Sequence, residues 1–429
     1  MWELNLSNYT HPLFGTVPKN WKWSRINEIC TLSSGGTPNR KEKDNFKGNI
    51  LWVTSGELKS RTIEDTLEKI SNSAVEEFKL TLYDPGTVII AIYGLEAEGV
   101  RGTASILKKK STISQACMAF ANFQGLSNVY FYYWYLNYGS IIGKRYAQGT
   151  KQQNLSQDII AAIPICYPSL SEQQKIVTIL STQDKVIELK ENLLVQKQQQ
   201  KKYLMQQLLT EKKRLPGFNE KWKVEKFNEI FDFLSTNTLS RDNLFEGVGA
   251  IQNIHYGDIL TKFDEVIDLD CVCLPSIKES AIPNNCATVK SGDIIIADTA
   301  EDLTAGKAVE VQNIGDRVIY SGLHTMLCRP KEQLFSDGWL GFYMNSEAYH
   351  KQLIPYIAGV KVMAISKSNI VKTYIAIPSK AEQAAIVGIL STADHEIALL
   401  QESIESEKQK KKALMQLLLT GKVRVKCNG

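Results

Sequence analysis

Residues 172–210 read EQQKIVTILSTQDKVIELKENLLVQKQQQKKYLMQQLLT, and residues 382–420 read EQAAIVGILSTADHEIALLQESIESEKQKKKALMQLLLT. The two align without a gap at an offset of 210, and about half of the positions are identical. Ile176, Leu180, Gln183, Ile187, Lys190, Leu194, Lys197, Lys201, Leu204 and Leu208 fall on alternating spacings of four and three. Ile386, Leu390, Ala393, Ile397, Leu400, Ile404, Glu407, Lys411, Leu414 and Leu418 repeat that spacing. This is a heptad seam, apolar at its ends and polar in the middle. Neither stripe would hold a lone helix in water, so each needs a partner, and the natural partner is the other copy. Pro168 with Ser171, and Pro378 with Ser379, are the expected start signals, and Leu215-Pro216-Gly217 ends the first helix. At 1.5 Å per residue each helix is about 57 Å long.

The repeat extends outward. Tyr146, Gly149, Lys151, Ser156, Ile160 and Pro168 align with Tyr356, Gly359, Lys361, Ser366, Ile370 and Pro378 at the same offset. NWKWSRINEI (20–29) is similar to KWKVEKFNEI (221–230), and GTVIIAIYG (86–94) to GDIIIADTA (292–300). The expected class is α+β. Two globular, mixed α/β heads are separated by two long antiparallel coiled-coil helices in a pseudo-two-fold tandem repeat. The boundaries that follow are 1–168 for the first head, 169–214 for its helix, 215–378 for the second head and 379–429 for its helix. Val88–Ala91 and Ile294–Ala297 read as buried strands. Gly35–Pro38 reads as a turn, and Asn128–Asn137 and Trp339–Met344 as helices. The aromatic run Tyr130–Tyr135 reads as core packing in preference to a base-stacking platform.

The chain has 429 residues, 43% of them hydrophobic, and a formal charge of +4. That is enough apolar material for real cores, and it excludes a wholly disordered chain. No apolar run is long enough to span a membrane, and the N-terminal stretch lacks a signal-peptide pattern. Eight scattered cysteines argue against a disulfide framework, so a reducing, cytoplasmic compartment is expected. Cys271 and Cys273 read as core or strand residues, and the histidines show no zinc-ligand spacing. No phosphate-binding loop, dinucleotide fingerprint, nucleophile elbow or HExxH is present. Asp84-Pro85 is followed by Gly86, not by the Pro-aromatic pair of an amino-methyltransferase. The sequence therefore points away from catalysis and toward a two-headed recognition scaffold.

Such a scaffold suits duplex DNA. One base contact discriminates by ~1–3 kcal/mol, and two modules on one frame add their energies. The helix length bounds the separation of the heads at about 57 Å, or ~17 base pairs. Two rival classes are a coiled-coil adaptor whose heads bind proteins and a DNA-modifying enzyme whose motifs are hidden.

LSEQQKIVTILSTQD (170–184), KKYLMQQLLT (201–210) and their copies at 380–394 and 411–420 resemble the specificity subunit of Type I restriction–modification systems. NWKWSRINEICTLSSGGTP (20–38), NILWVTSGEL (49–58) and GTVIIAIYG (86–94) are similar to one type of target-recognition domain. NIHYGDIL (253–260) and IIIADTAEDLTAGK (294–307) are similar to another. The resemblance implies a non-catalytic subunit that reads both halves of a bipartite, asymmetric DNA site. Two modification subunits would dock on its helices and methylate adenine with S-adenosylmethionine. Two restriction subunits would add ATP- and Mg-dependent translocation and cleavage. No cofactor or metal is expected on this chain.

Phosphate contacts want Arg and Lys, and base reading wants Arg, Asn, Gln, Ser and Thr on loops. The candidates in the first head are Thr37, Arg40, Lys41, Ser55, Tyr93, Arg101, Lys151, Gln152 and Gln153. Those in the second are Asn253, His255, Tyr256, Thr299, Lys307, His324 and Lys361; for the two histidines a structural role is the alternative. Glu172, Gln173, Glu382 and Gln383, on the exposed face of the helix starts, are candidates for partner docking. The alternative for them is helix-start chemistry, with Glu favoured by the dipole. Lys108–Lys110 reads as a solvated hairpin turn. The lysines at 197–202 and 408–412 read as a solvated face or as phosphate neutralisers.

Overall fold

The computed structural model describes residues 10–11, 15–96, 99–149, 153–247 and 249–425. These fall into two compact units, one of residues 1–191 with 402–429 and one of residues 192–401. Each unit holds one head and part of each long helix.

In the first unit seven strands organise the head: Thr31–Ser34 (β1), Ile50–Val53 (β2), Thr62–Ile63 (β3), Val88–Ala91 (β4), Ala104–Leu107 (β5), Ser111–Ile113 (β6) and Cys117–Ala121 (β7). Five of them form a sheet in the order β1-β7-β4-β5-β3, antiparallel except for the parallel β5–β3 pair. β2 and β6 pair in parallel in a second, smaller sheet. β4 reads as an unbroken apolar run because all four of its residues are buried. The ends of the head are tied by an antiparallel ribbon of Lys22–Arg25 with Pro164–Tyr167.

The second unit repeats this plan. Its strands are Phe231–Leu234 (β8), Gln252–Ile254 (β9), Val266–Asp268 (β10), Ile294–Ala297 (β11), Ala308–Gln312 (β12), Ile319–Ser321 (β13) and Thr325–Pro330 (β14). The five-stranded order is β8-β14-β11-β12-β10, with the same single parallel pair at β12–β10. β9 and β13 pair in parallel, as β2 and β6 do. Lys223–Lys226 and Tyr374–Ile377 form the matching ribbon.

Helix α1 (Asn128–Tyr146) is capped by Ser127, whose hydroxyl accepts from Tyr130 N at 3.4 Å. Tyr130 to Tyr135 are each at most 4% exposed, which bears out core packing over a base-stacking platform. The first two turns of the helix are almost wholly apolar because they join one core with the strands and with Ile176, Leu180 and Leu418 of the long helices.

The long helices are α2 (Leu170–Leu208) and, closing the chain, α5 (Lys380–Leu418), each of 39 residues. Between them in sequence lie the short helices α3 (Trp339–Met344) and α4 (Glu347–Leu353). Within each unit α2 and α5 run antiparallel. In the first, Gln183 Nε2 donates to Glu407 Oε2 at 2.6 Å and Lys190 Nζ to Ser403 Oγ at 2.7 Å. In the second, Lys197 meets Glu396 at 2.7 Å and Lys201 meets Asp394 at 2.6 Å. Every seam residue is buried or half-buried, as the spacing predicts. The polar middle is thus bonded across the pair: Lys197, Lys201, Lys408 and Lys411 all hold acidic partners on the opposite helix.

Three expectations need correction. The first helix is started by Ser169, not Ser171: its hydroxyl accepts from Glu172 N at 3.4 Å, as that of Ser379 does from Glu382 N. Cys271 and Cys273 are exposed and lie in a turn and loop after β10, not in a strand or core. Lys108–Lys110 joins two different sheets and is not a hairpin, and Lys108 and Lys110 are ion-paired to Glu64 and Asp84.

Candidate nucleic-acid interface

Superposing the two registers pairs the heads residue by residue. Leu51 lies opposite Ser111 and Gln252 opposite Ile319, the first pair in each parallel ladder. Val88 and Ile294 both begin the central strand, opposite Phe120 and Cys328. Ser55 therefore corresponds to Tyr256, and Tyr93 to Thr299. Four candidates thus fall on two equivalent positions, each just past the C-terminal end of a strand.

In the second head these strand ends converge. The His255 and Tyr256 rings lie 4.6 Å apart, and Tyr256 meets His324 edge-on at 5.3 Å. Thr299 Oγ1 lies 3.3 Å from His324 Nδ1. Asp298, which sequence reading passed over, ties the group together. Its Oδ1 accepts from Thr299 Oγ1 at 2.7 Å and lies 3.2 Å from His324 Nδ1. His324 is held at φ +52°, a left-handed conformation, by the turn between β13 and β14. Thr299-Ala300 pairs with Met363-Ala364, which brings the exposed Lys361 turn beside the group. Asp298 carried no signal beyond its place after IIIA; the adjacent Thr299 and the turn between β13 and β14 give it partners.

His255 is 6% exposed, and its Nδ1 accepts from Gly257 N at 3.1 Å. Burial and the neighbouring Arg241 guanidinium push its pKa down, so near neutral pH it is an uncharged cap. Arg241 itself is held by a bidentate pair to Asp258 at 2.8 and 2.9 Å. Of two further candidates, Asn253 does not reach the surface and Lys307 is half-buried. Asn253 is 0% exposed, and its Oδ1 accepts from Asn237 Nδ2 at 2.8 Å. Lys307 Nζ donates to Phe263 O at 2.7 Å, and burial lowers its pKa. Asn253 supports the surface from beneath, and Lys307 ties down the loop that carries Phe263.

In the first head Tyr93 is 40% exposed beside a bonded loop cluster. Arg101 Nη2 donates to Gln153 Oε1 at 2.7 Å, and Gln153 N donates to Glu96 Oε2 at 2.8 Å. Lys151 and Gln152 lie outside the described residues. Thr37 is half-buried and Lys41 exposed, in the loop that follows β1, and Ser55 starts the short turn that follows β2. Arg40 is held in a fork by Glu68 at 3.0 and 2.9 Å and lies 5.1 Å from the Phe46 ring, so it braces the loop.

The helix starts differ from the expectation. Glu172, Gln173, Glu382 and Gln383 are 3, 0, 1 and 0% exposed. Gln173 Oε1 accepts from Ser127 N at 2.8 Å, and its Nε2 donates to Gly125 O at 3.2 Å and Pro168 O at 2.9 Å. Gln383 repeats all three bonds, with Ser336 N, Leu334 O and Pro378 O. Glu172 is held by Arg424 and Glu382 by Arg214, each through Nε and Nη2, with all four distances at 2.6–2.7 Å. These side chains pin each head to its helices and are not offered on an exposed face.

Among the described residues no group of three or more His, Cys, Asp or Glu is placed to hold a metal ion, and no helix is long and apolar enough to cross a membrane.

Comparison with known proteins bears on both units. Residues 18–198 and 219–408 match the family described as Type I restriction modification DNA specificity domain. The Type I restriction enzyme MjaVIII specificity subunit of Methanocaldococcus jannaschii is 24% identical over 426 residues, covering 96% of this chain and 94% of that one. The MjaIX specificity subunit of the same organism is 30% identical over 178 residues, 41% of this chain and 40% of that one. Two solved structures share the fold. One comes from work on complex assembly and conformational transition of the type I R-M system, with TM-score 0.60 and 16% identity over 95% of this chain and 99% of that one. The other is a Type-I restriction-modification system S subunit from M. genitalium, with TM-score 0.51 and 14% identity over 93% of this chain and 96% of that one.

Proposed function

Since this chain belongs to the family of Type I restriction modification DNA specificity domains, we propose that it is the sequence-reading, non-catalytic subunit of such a system. Each head reads one half of a bipartite DNA site. The observation that carries this is the pairing of the heads: one backbone plan presents Ser55 and Tyr93 in the first and Tyr256 and Thr299 in the second. A shared sheet plan with different side chains at equivalent strand ends reads two different half-sites. The bipartite motif is therefore asymmetric.

Base discrimination of ~1–3 kcal/mol per contact requires donors and acceptors fixed in place before the duplex arrives. The Asp298–Thr299–His324 group meets that need, because each member is already bonded to another. Two modification subunits, carrying S-adenosylmethionine, dock on the helices, and two restriction subunits supply ATP- and Mg-dependent steps. The exposed faces of α2 and α5 away from the seam serve the docking.

The test is co-expression with the neighbouring methyltransferase, followed by single-molecule sequencing for modified adenine. An asymmetric bipartite motif that requires both chains supports the proposal. Replacing residues 1–168 by the head of a relative should change one half of the motif only. A change in both halves would refute independent reading, and a formed complex that methylates nothing would favour heads that bind protein.

A further inference from the structure

A lysine–aspartate pair bridges α2 and α5 once in each unit. Lys411 meets Asp184 at 2.6 Å in the first, and Lys201 meets Asp394 at 2.6 Å in the second. The two pairs are one pair duplicated, since 201 and 411, like 184 and 394, differ by 210. Each lysine lies over an aromatic ring of the head, Lys411 5.8 Å from Tyr133 and Lys201 5.6 Å from Phe342.

Each head adds one charged residue to its pair. Register identifies it: Thr62 lies opposite Ile106 and Val266 opposite Glu310, and the residues just before them are Arg61 and Glu265. Their carbonyls accept equivalent bonds, from Ile106 N at 2.8 Å and Glu310 N at 3.0 Å. The two side chains occupy one structural position with opposite charge. Arg61 faces the aspartate, 4.0 Å from Asp184, and lies 5.5 Å from the Tyr133 ring. Glu265 instead meets the lysine, 2.7 Å from Lys201.

We propose that each Lys–Asp pair is an ambivalent docking socket, which holds a head through either an acidic or a basic residue at this one register position. An acidic residue engages the lysine and a basic residue engages the aspartate. The helix pair therefore need not change when the sign of the incoming head does.

The physical ground is that the socket carries both charges within reach of one point and partly shielded from water, with Arg61, Asp184 and Lys411 at 31, 19 and 21% exposed in the first unit. The side chains of Lys201, Glu265 and Asp394 are 13, 16 and 28% exposed. In the second unit removal of Asp394 leaves the Lys201–Glu265 pair intact, whereas removal of Lys201 leaves two carboxylates face to face. In the first unit removal of Lys411 leaves Arg61 with Asp184. Removal of Asp184 leaves two cations together and strips Tyr133 Oη of its 2.5 Å bond.

The test is thermal melting of full-length single and double variants. In the parent, Lys201→Met should lower the midpoint by at least about 5 °C and Asp394→Asn by less than about 2 °C. Glu265→Arg should melt within about 3 °C of the parent, and in that background the order should invert, with Asp394→Asn now the damaging change. Arg61→Glu should transfer dependence in the first unit from Asp184 to Lys411. The proposal is overturned if the order stays the same after reversal, or if both reversed chains fail to fold. It is also overturned if Glu265→Arg is rescued only by removing Lys201, which would show a socket of fixed sign.

Discussion

Replacing Gln173 by methionine keeps the length of the side chain and removes three hydrogen bonds. Ser127 N, Gly125 O and Pro168 O lose their partner at a residue that is 0% exposed, where water cannot substitute. A buried polar group left unpaired costs about 1–3 kcal/mol. The three share one side chain and relax together, so a total of about 3–5 kcal/mol is expected. At roughly 2–4 °C per kcal/mol for a domain of this size, the first unit should melt about 10 °C lower. Gln173→Glu should be worse than Met, because it sets a carboxylate oxygen against the carbonyls of Gly125 and Pro168. Gln383 makes the same three bonds, so Gln383→Met should lower the second unit's melting by a similar amount. Calorimetry on the full chain reads both. A Gln173→Glu chain that melts like the parent but no longer captures the methyltransferase would sink this reasoning and restore the residue to a docking face.

Arg214→Ala strips Glu382, 1% exposed, of two charged donors and should cost about 3 kcal/mol by urea unfolding; Arg424→Ala should cost less, because Arg424 is 39% exposed against 23% for Arg214. Lysine should not rescue either position, since the fork is lost. Asp394 is pushed up to about 6 by burial, with Glu265 and Asp264 adding to it. Its folded-state pKa lies above the unfolded value near 3.9, so its contribution is largest below about pH 4 and declines as pH rises toward 6. The melting advantage of the parent over Asp394→Asn should accordingly shrink between pH 4 and 6.5, and a gap constant with pH would show that the carboxyl does not titrate there. His324→Ala should weaken or relax one half of the methylated motif, by roughly tenfold at the affected position, while the other half stays unchanged.

The helices and their seam were legible because their period is local: every residue needed to see the seam lies within a few turns of its neighbours. The central strands were legible for the same reason, as four apolar residues buried on both faces. Sheet order was not, because β1 and β7 pair across most of a head and nothing in either strand names its partner. The same limit hid the correspondence of Arg61 with Glu265, which alignment of the flanking sequence does not show and the ladder register does. Gln173 was misread for a different reason. A polar side chain in the first turn of an amphipathic helix looks solvated until the turn before α1 covers it. Asn253, a candidate for base reading, lies instead buried in β9, and its partner, Asn237, comes from the loop after β8.

The first unit is assembled from two separate stretches, residues 1–191 and 402–429, whereas the second is the uninterrupted stretch 192–401. A ribosome delivers these in an order that does not match completion. At about 5–20 residues per second, the first head waits roughly 10–40 s for the segment that carries Leu418 and Arg424. During that interval Ile176 and Leu180 lack Met415, Leu418 and Leu419 of the finished core, and Glu172 is a carboxylate without its guanidinium. The later-made unit can close first. The nascent chain therefore leaves the start of α2 partly uncovered until the segment around Leu418 and Arg424 has been made, and that segment determines when the exposure ends.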